Sequence, residues 1–453
     1  MNFLQAVAYL DDHINLEATA RGPRAGAVDG LSLDRMRGIV DVLGDPQHAA
    51  PAIHVTGTNG KGSVARMITA LLGAHGLTVG TYASPHLESI RERIRRNADT
   101  ISEAEFADVV SEVAALESLF PERPSYFDLL TAVAFAWFAR EAVEVQVIEV
   151  GLLGRFDSTN VVDADVAVVT NVGRDHTDGV GEWRRAIALE KAGIIADRSA
   201  VVIGETEPEL VEVFREEGGA LHWVRDQDFG VGGSAVAVGG RQLDLYTPTT
   251  RLRDLFLPLH GHHQADNAAV AVAAVETFFG RPLDADVVSE GLASVVVPGR
   301  FEVVSRSPLV VLDTAHNPDG TAAAAATMDE EFTPEGATTL VVGLLGGRDI
   351  DDTLAPLLAL GPRHVVCVQP ESVRAVSAAE ISDAVARFVS AGRAPQVPEV
   401  TVVPDVAEAV GRIVDRMHDD DALLVAGSTY VVGAARTALR ELGLGPSDSA
   451  SSV

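Results

Sequence analysis

"APAIHVTGTNGKGSVARMITALLGAHG", residues 50–76, reads as a buried strand, a glycine-rich loop and a helix. Glycines at 57, 60 and 62 let the backbone turn tightly and aim N–H groups at a chain of phosphates. The helix that follows adds its positive N-terminal end, and Lys61 supplies an ammonium at the same place. The spacing departs from the standard P-loop. Gly62 separates Lys61 from Ser63, and only two residues separate Gly57 from Gly60. The pattern predicts nucleotide binding by Gly57, Thr58, Asn59, Gly60, Lys61, Gly62 and Ser63.

Lys61 stands out for a second reason. The chain has 35 Lys plus Arg, of which only Lys61 and Lys191 are lysine. Genomic drift exchanges Lys for Arg wherever either charge suffices, so the two remaining lysines are informative, because Arg cannot imitate every lysine chemistry. The net charge of −30 sets the average surface against duplex DNA and anionic membranes. An anionic small molecule then needs a local positive site. The 47% hydrophobic and 22% charged content fits a folded soluble protein, and no apolar run reaches the roughly 18 residues of a membrane span. "MNFLQAVAYLDDHINLE" lacks a basic leader and reads as a helix of the mature protein. The single cysteine, Cys367, lies in the apolar run "HVVCVQ" and reads as a buried strand position. Together these features point to the cytoplasm.

Strands alternate with helices along the chain, as in "LTVGTYASP", "EVQVIEVGLLGR", "DADVAVVTNVGRDH" and "SAVVIGE". That alternation predicts an α/β fold with a mostly parallel sheet covered on both faces. Residues 228–260 show short alternations that suggest an antiparallel excursion. After "VVVPGRFEVV" a fresh α/β series begins with "PLVVLDTAHNPDG". The expected organisation is a P-loop domain over 1–297, a smaller Rossmann-like domain over 298–443 and a disordered tail over 444–453.

"TGTNGKGS" followed by "SPHL" (84–87) resembles the Mur ligase superfamily, and within it the folylpolyglutamate synthase/dihydrofolate synthase family. The resemblance continues in order through "YFDLLTAVAFAWF", "EVGLLGRFDSTN", "TNVGRDHT", "EKAGI", "HHQADNAAVA", "PGRFEVV", "DTAHNPDG" and "GSTYVVG". It implies an ATP-dependent amide ligase with two Mg²⁺ ions. Parallel strands bring their C-terminal ends to one sheet edge, where α/β ligands bind. The resemblance assigns Ser84, Glu149 and His176 on that edge to Mg²⁺. It makes Lys191 the lysine that CO₂ carbamylates, giving an anion that ligates the second ion. A guanidinium stays protonated and cannot follow that route. It also implies that Asn267, Arg300 and Asp313 contact the nucleotide, and that His316 and Asn317 lie on a catalytic loop facing the cleft. The two-domain build implies closure over ATP.

The aromatic faces of Tyr126 and Phe127 suit stacking of a flat pterin, or else core packing, and Asp157, Ser158 and Thr159 fall in the family's pterin region. The implied reaction joins L-glutamate to dihydropteroate or a reduced folate through an acyl phosphate, carried out by a monomer on small molecules alone. Departures gather near the acceptor side. Leu153 replaces a glycine, Phe156 a leucine, Ser158 an alanine, Arg174 a leucine and Thr314 a glycine, and an insertion occupies 17–30. A related ligase acting on another carboxylate is therefore a competing reading, and a non-catalytic ATP-binding protein is a third. The last has no need of Lys191.

Overall fold

The computed structural model describes residues 1–15, 32–174 and 181–445. The 17–30 insertion, His176 and residues 446–453 of the expected tail lie outside the described residues. The chain divides into two compact units, Met1–Pro258 with His263–Val296, and Leu259–His262 with Val297–Val453.

In the first unit the strands are β1 (Ala52–Thr56), β2 (Val79–Tyr82), β3 (Ile94–Arg96), β4 (Asp99–Thr100), β5 (Val145–Glu149), β6 (Val166–Val169), β7 (Ala200–Ile203) and β8 (Leu221–Val224). They form one sheet in the order β4-β3-β2-β5-β1-β6-β7-β8. From β2 to β8 every pairing is parallel, while β3 and β4 add antiparallel strands at one edge. That edge is not legible in the sequence. "RIRR" is too polar to read as a strand, and its pairing comes from β2. Every residue of β1, β2, β5 and β6 is buried, as expected of parallel strands covered on both faces. The register places the ends of β2, β5, β1 and β6 side by side. The loops carrying Ser84, Gly151, the glycine loop and Thr170 therefore leave one sheet edge together.

His54 sits in the middle of β1 with no exposure. Burial pushes its imidazole down to about 3, so the ring is neutral. Its Nε2–H donates to Thr159 Oγ1 at 2.9 Å, and that hydroxyl donates in turn to Asp157 Oδ1 at 2.5 Å. A strand residue thus anchors the loop that follows β5.

Helices Glu103–Leu116 and Tyr126–Arg140 open with capping boxes at Ser102 and Ser125. The second is apolar on nearly every face and fills a core with Tyr82, Phe106 and Ile148. The anticipated antiparallel excursion is β9 (Gly230–Ala237), β10 (Gly240–Tyr246) and β11 (Arg251–Leu257).

The second unit holds β12 (Glu302–Arg306), β13 (Leu309–Asp313), β14 (Thr338–Val342), β15 (His364–Cys367), β16 (Glu399–Val402) and β17 (Ala422–Ala426), in the order β12-β13-β17-β14-β15-β16. All pairings are parallel except β12 with β13. Cys367 is buried, and burial pushes its thiol up to about 12, which keeps it an inert core residue. No helix among the described residues is long and apolar enough to cross a membrane.

A net charge of −30 opposes compaction through self-repulsion, while exposed ion pairs contribute about 0–1 kcal/mol each. Net repulsion outweighs pair attraction, so NaCl raised from low to molar concentration should lift the thermal midpoint by several degrees. Calorimetry checks this; a flat or falling midpoint would show that the ion pairs dominate.

Candidate active site

The glycine loop leaves β1 with Gly57 at φ 148° and Gly60 at φ 83°. A Cβ at Gly57 would lie 1.7 Å from Thr170 Oγ1, and one at Gly60 would lie 2.5 Å from Asn267 Oδ1. Only glycine fits either position. The loop after β6 braces the turn. Thr58 N–H donates to the Asn171 carbonyl and Asn59 N–H to Asn171 Oδ1, both at 3.0 Å. Thr170 Oγ1 donates to the Asn59 carbonyl at 2.6 Å, and the Thr58 hydroxyl bonds both backbone groups of Gly173. These braces are not legible in the sequence. The "TN" after a strand was the signal, but its partner lies more than a hundred residues away.

Helix Lys61–Ala74 begins at Gly60 without a side-chain cap. Lys61 Nζ donates back to the carbonyls of Gly57 at 3.0 Å and Thr58 at 3.3 Å. Ser63 is buried in the first turn, and Asn267 is held against Gly60 with its Nδ2 on Gln264 Oε1 at 3.0 Å. Glu149, the last residue of β5, is buried. Its Oε2 accepts from Ser84 N–H at 3.2 Å and lies 3.5 Å from where a Cβ at Gly62 would stand. Ser84 and Glu149 therefore meet beside the glycine loop. Among the described residues no group of three or more His, Cys, Asp or Glu is arranged to hold a metal ion. A buried carboxylate beside a phosphate-type loop nevertheless suits Mg²⁺, which needs only one or two protein oxygens.

Lys191 belongs to helix Trp183–Ala192 and is 5% exposed. It lines a cavity of about 30 Å³ with Lys61, Gly57, Thr58 and the loop Val150–Leu153. The chain's two lysines, distant in sequence, share one small space. The loop after β5 is fastened to the lysine helix: Arg155 N–H donates to the Glu190 carbonyl at 2.8 Å, and a Cβ on Gly154 would lie 2.5 Å from that oxygen. Burial pushes the Glu190 carboxyl up, partly countered by Arg155. Leu153 has φ 63°, the left-handed region that glycine occupies at no cost. Thr56 Oγ1 holds its carbonyl at 3.0 Å, and its buried side chain forms a wall of the cavity.

The residues expected on the acceptor side divide into two groups. Tyr126 and Thr159 are buried. The Arg93 guanidinium lies 5.9 Å from the Tyr126 ring centroid. Asp157 is buried too, accepting from Leu152 N–H, Thr159 N–H and Thr159 Oγ1; burial pushes its carboxyl up against those bonds. Phe127 is half-buried and packs on Gly151, where a Cβ would come within 2.4 Å of the ring. Ser158, also half-buried, donates to Asp128 Oδ1 at 2.6 Å, and Arg35 Nε reaches Asp128 Oδ2 at 2.7 Å.

In the second unit Asp313 closes β13 and is buried, which pushes its carboxyl up while Arg300 draws it down. Its oxygens accept from Phe301 N–H and Ala315 N–H, both at 2.7 Å, so it shapes the turn that carries Arg300. His316 Nδ1–H donates to the Thr314 carbonyl at 2.8 Å. Asn317 caps helix Pro318–Glu331 by accepting from Gly320 N–H at 2.8 Å.

Known proteins share both the sequence pattern and the fold. Residues 55–275 match the Mur ligase middle domain, and residues 299–429 the Mur ligase, glutamate ligase domain. A dihydrofolate synthase/folylpolyglutamate synthase of Mycobacterium tuberculosis is 38% identical over 90% of this chain and 89% of its own length. The structure of E. coli FolC in complex with DHPP and ADP is 30% identical with a TM-score of 0.83, covering 98% of this chain and 99% of the other. A bifunctional folylpolyglutamate synthase/dihydrofolate synthase of Yersinia pestis, complexed with AMPPNP and Mn ion, is 29% identical with a TM-score of 0.81 over 98% of both chains. With a glycine loop, a buried Glu149 beside it and two successive Mur ligase domains, the chain belongs to the folylpolyglutamate synthase/dihydrofolate synthase family of the Mur ligase superfamily.

Proposed function

We propose that the protein is an ATP-dependent, ADP-forming ligase that adds L-glutamate to dihydropteroate, to the γ-carboxyl of reduced folates, or to both. The observation that carries this reading is the cavity shared by Lys61 and Lys191 at the end of β1. A phosphate site needs one fixed ammonium. A second lysine, kept where the rest of the chain uses arginine, points to chemistry that only an amine performs.

In this reading the glycine-loop N–H groups, the helix start and Lys61 hold the phosphates, and Asn267, Arg300 and Asp313 contact the rest of the nucleotide. The acceptor carboxylate attacks the γ-phosphorus, and the bond to the ADP oxygen breaks. An acyl phosphate forms. The glutamate amine then attacks the carbonyl carbon, loses a proton and expels phosphate. His316 is assigned to the reacting end. The neutral Lys191 amine combines with CO₂, forming an N–C bond and releasing one proton, and becomes an anion with two oxygens. Ser84, Glu149 and that carbamate, with His176, would hold two Mg²⁺ ions, whose charge offsets that of the phosphates when they are bound. Phe127 and Ser158 face the acceptor, while Tyr126, Asp157 and Thr159 support them from beneath. The protein acts as a monomer in the cytoplasm, without nucleic-acid or membrane partners.

Acceptor identity is the open term, because Leu153, Phe156 and Ser158 differ from the family's usual residues on that side. Purified protein with ATP, glutamate and a panel of carboxylates should release phosphate only with dihydropteroate or tetrahydrofolate, with product mass raised by one glutamate. Release with a different carboxylate alone would replace the acceptor, and acceptor-independent binding without turnover would favour a non-catalytic protein.

Lys191→Ala and Lys191→Arg should each lower kcat by roughly 10²–10³-fold while ADP affinity stays within about threefold, because charge stabilisation is lost in the transition state. Added formate should restore part of the Lys191→Ala turnover by supplying the missing carboxylate. Full activity in Lys191→Arg would refute the assigned chemistry.

A further inference from the structure

We propose that Arg184 and Glu205 form a charged clamp that positions the glycine loop relative to the helix carrying Lys191. The inference rests on the reading of that loop as the nucleotide site. Glu205 follows β7, is 7% exposed, and is not part of the glycine loop or of the cavity wall. Its Oε2 accepts from Val172 N–H at 2.9 Å. Its Oε1 accepts from the backbone N–H groups of Thr206 and Glu207 at 3.0 Å, which fixes the carboxylate in place. Arg184 is the second residue of helix Trp183–Ala192. Its Nη2 donates to the Val172 carbonyl at 3.2 Å and stands 3.6 Å from Glu205 Oε2, while Nη1 reaches Glu207 Oε2 at 2.9 Å. Both backbone groups of Val172 are thus held by side chains of opposite charge.

The reason for this device lies in where Val172 stands. β6 ends at Val169, so the sheet ladder no longer supplies partners, and a buried peptide must find them elsewhere. The residues on either side of Val172 are the ones that grip the nucleotide loop. Asn171 bonds Thr58 and Asn59, and Gly173 bonds Thr58. A shift at Val172 therefore moves Thr58 and Asn59, and with them the Gly57 and Thr58 carbonyls on which Lys61 rests. Because Arg184 is two residues into the helix that ends with Lys191 and Ala192, the clamp ties the two lysine scaffolds to one peptide. Arg184 and Glu205 are positioning residues; neither touches the cavity.

The test uses the full chain with Glu205→Ala, Arg184→Gln and the double variant, reading KM for each substrate, ADP affinity by calorimetry, and thermal midpoint. Glu205→Ala should raise KM for ATP about tenfold or more and weaken ADP to match, with KM for glutamate within about twofold, since misplacement far from the chemistry acts through the loop it displaces. Arg184→Gln should move the same parameters less. The double variant should be no worse than Glu205→Ala, because the pair acts as a unit. If Glu205→Ala fails to fold, Arg184→Gln, whose side chain is 39% exposed, carries the test through its ATP-specific shift. An unchanged KM for ATP, or an equal rise in KM for every substrate, would overturn the clamp. Wild-type protein that binds no ADP would instead overturn the nucleotide reading beneath it.

Discussion

The glycine loop has no room for a side chain at Gly57 or Gly60. At Gly57 the hydroxyl of Thr170 occupies the place of a Cβ, and at Gly60 the amide of Asn267 crowds the same position. This close approach is what a phosphate site requires, because backbone N–H groups must converge without Cβ atoms between them. The parallel sheet makes the approach possible. β1 is flanked by β5 and β6, so the loops that follow all three meet at one edge. Glu149 arrives from β5, Thr170 and Asn171 from β6, and Ser84 from β2 one strand further out.

Around that loop, charge is arranged by contrast. The protein is strongly acidic, yet the site proposed for the nucleotide combines a glycine loop, a helix start and one ammonium. Buried carboxylates in each of the two units are occupied by the fold. Asp157, Asp313 and Glu205 each spend their oxygens on backbone N–H groups, and so shape loops. Glu149 also accepts from a backbone N–H, that of Ser84, and its carboxylate sits against Gly62.

Much of this was legible in the sequence, for a physical reason. The glycine loop, the strand–helix alternation and the lysine count are local signals, and they predicted the parallel sheet, the antiparallel excursion and the α/β character of the second unit. Long-range partners were not legible. Nothing near Asp157 in sequence shows that His54 will anchor it through Thr159, and nothing in "RIRR" shows that β2 will recruit it as a strand. The backbone N–H groups of Phe301 and Ala315 that bond Asp313 were not legible either. Leu153 is intermediate. Its replacement of a usual glycine was visible, and its left-handed backbone explains why glycine suits the position.

The central claim is that two lysines facing one cavity carry opposite charge in the working enzyme. Incubation of the protein with ¹³C-labelled bicarbonate followed by ¹³C NMR tests it most directly. Wild-type protein should show one slowly exchanging carbamate resonance that disappears in Lys191→Arg and persists in Lys61→Arg. An active wild-type enzyme without that resonance, or a resonance that survives Lys191→Arg, would contradict the account.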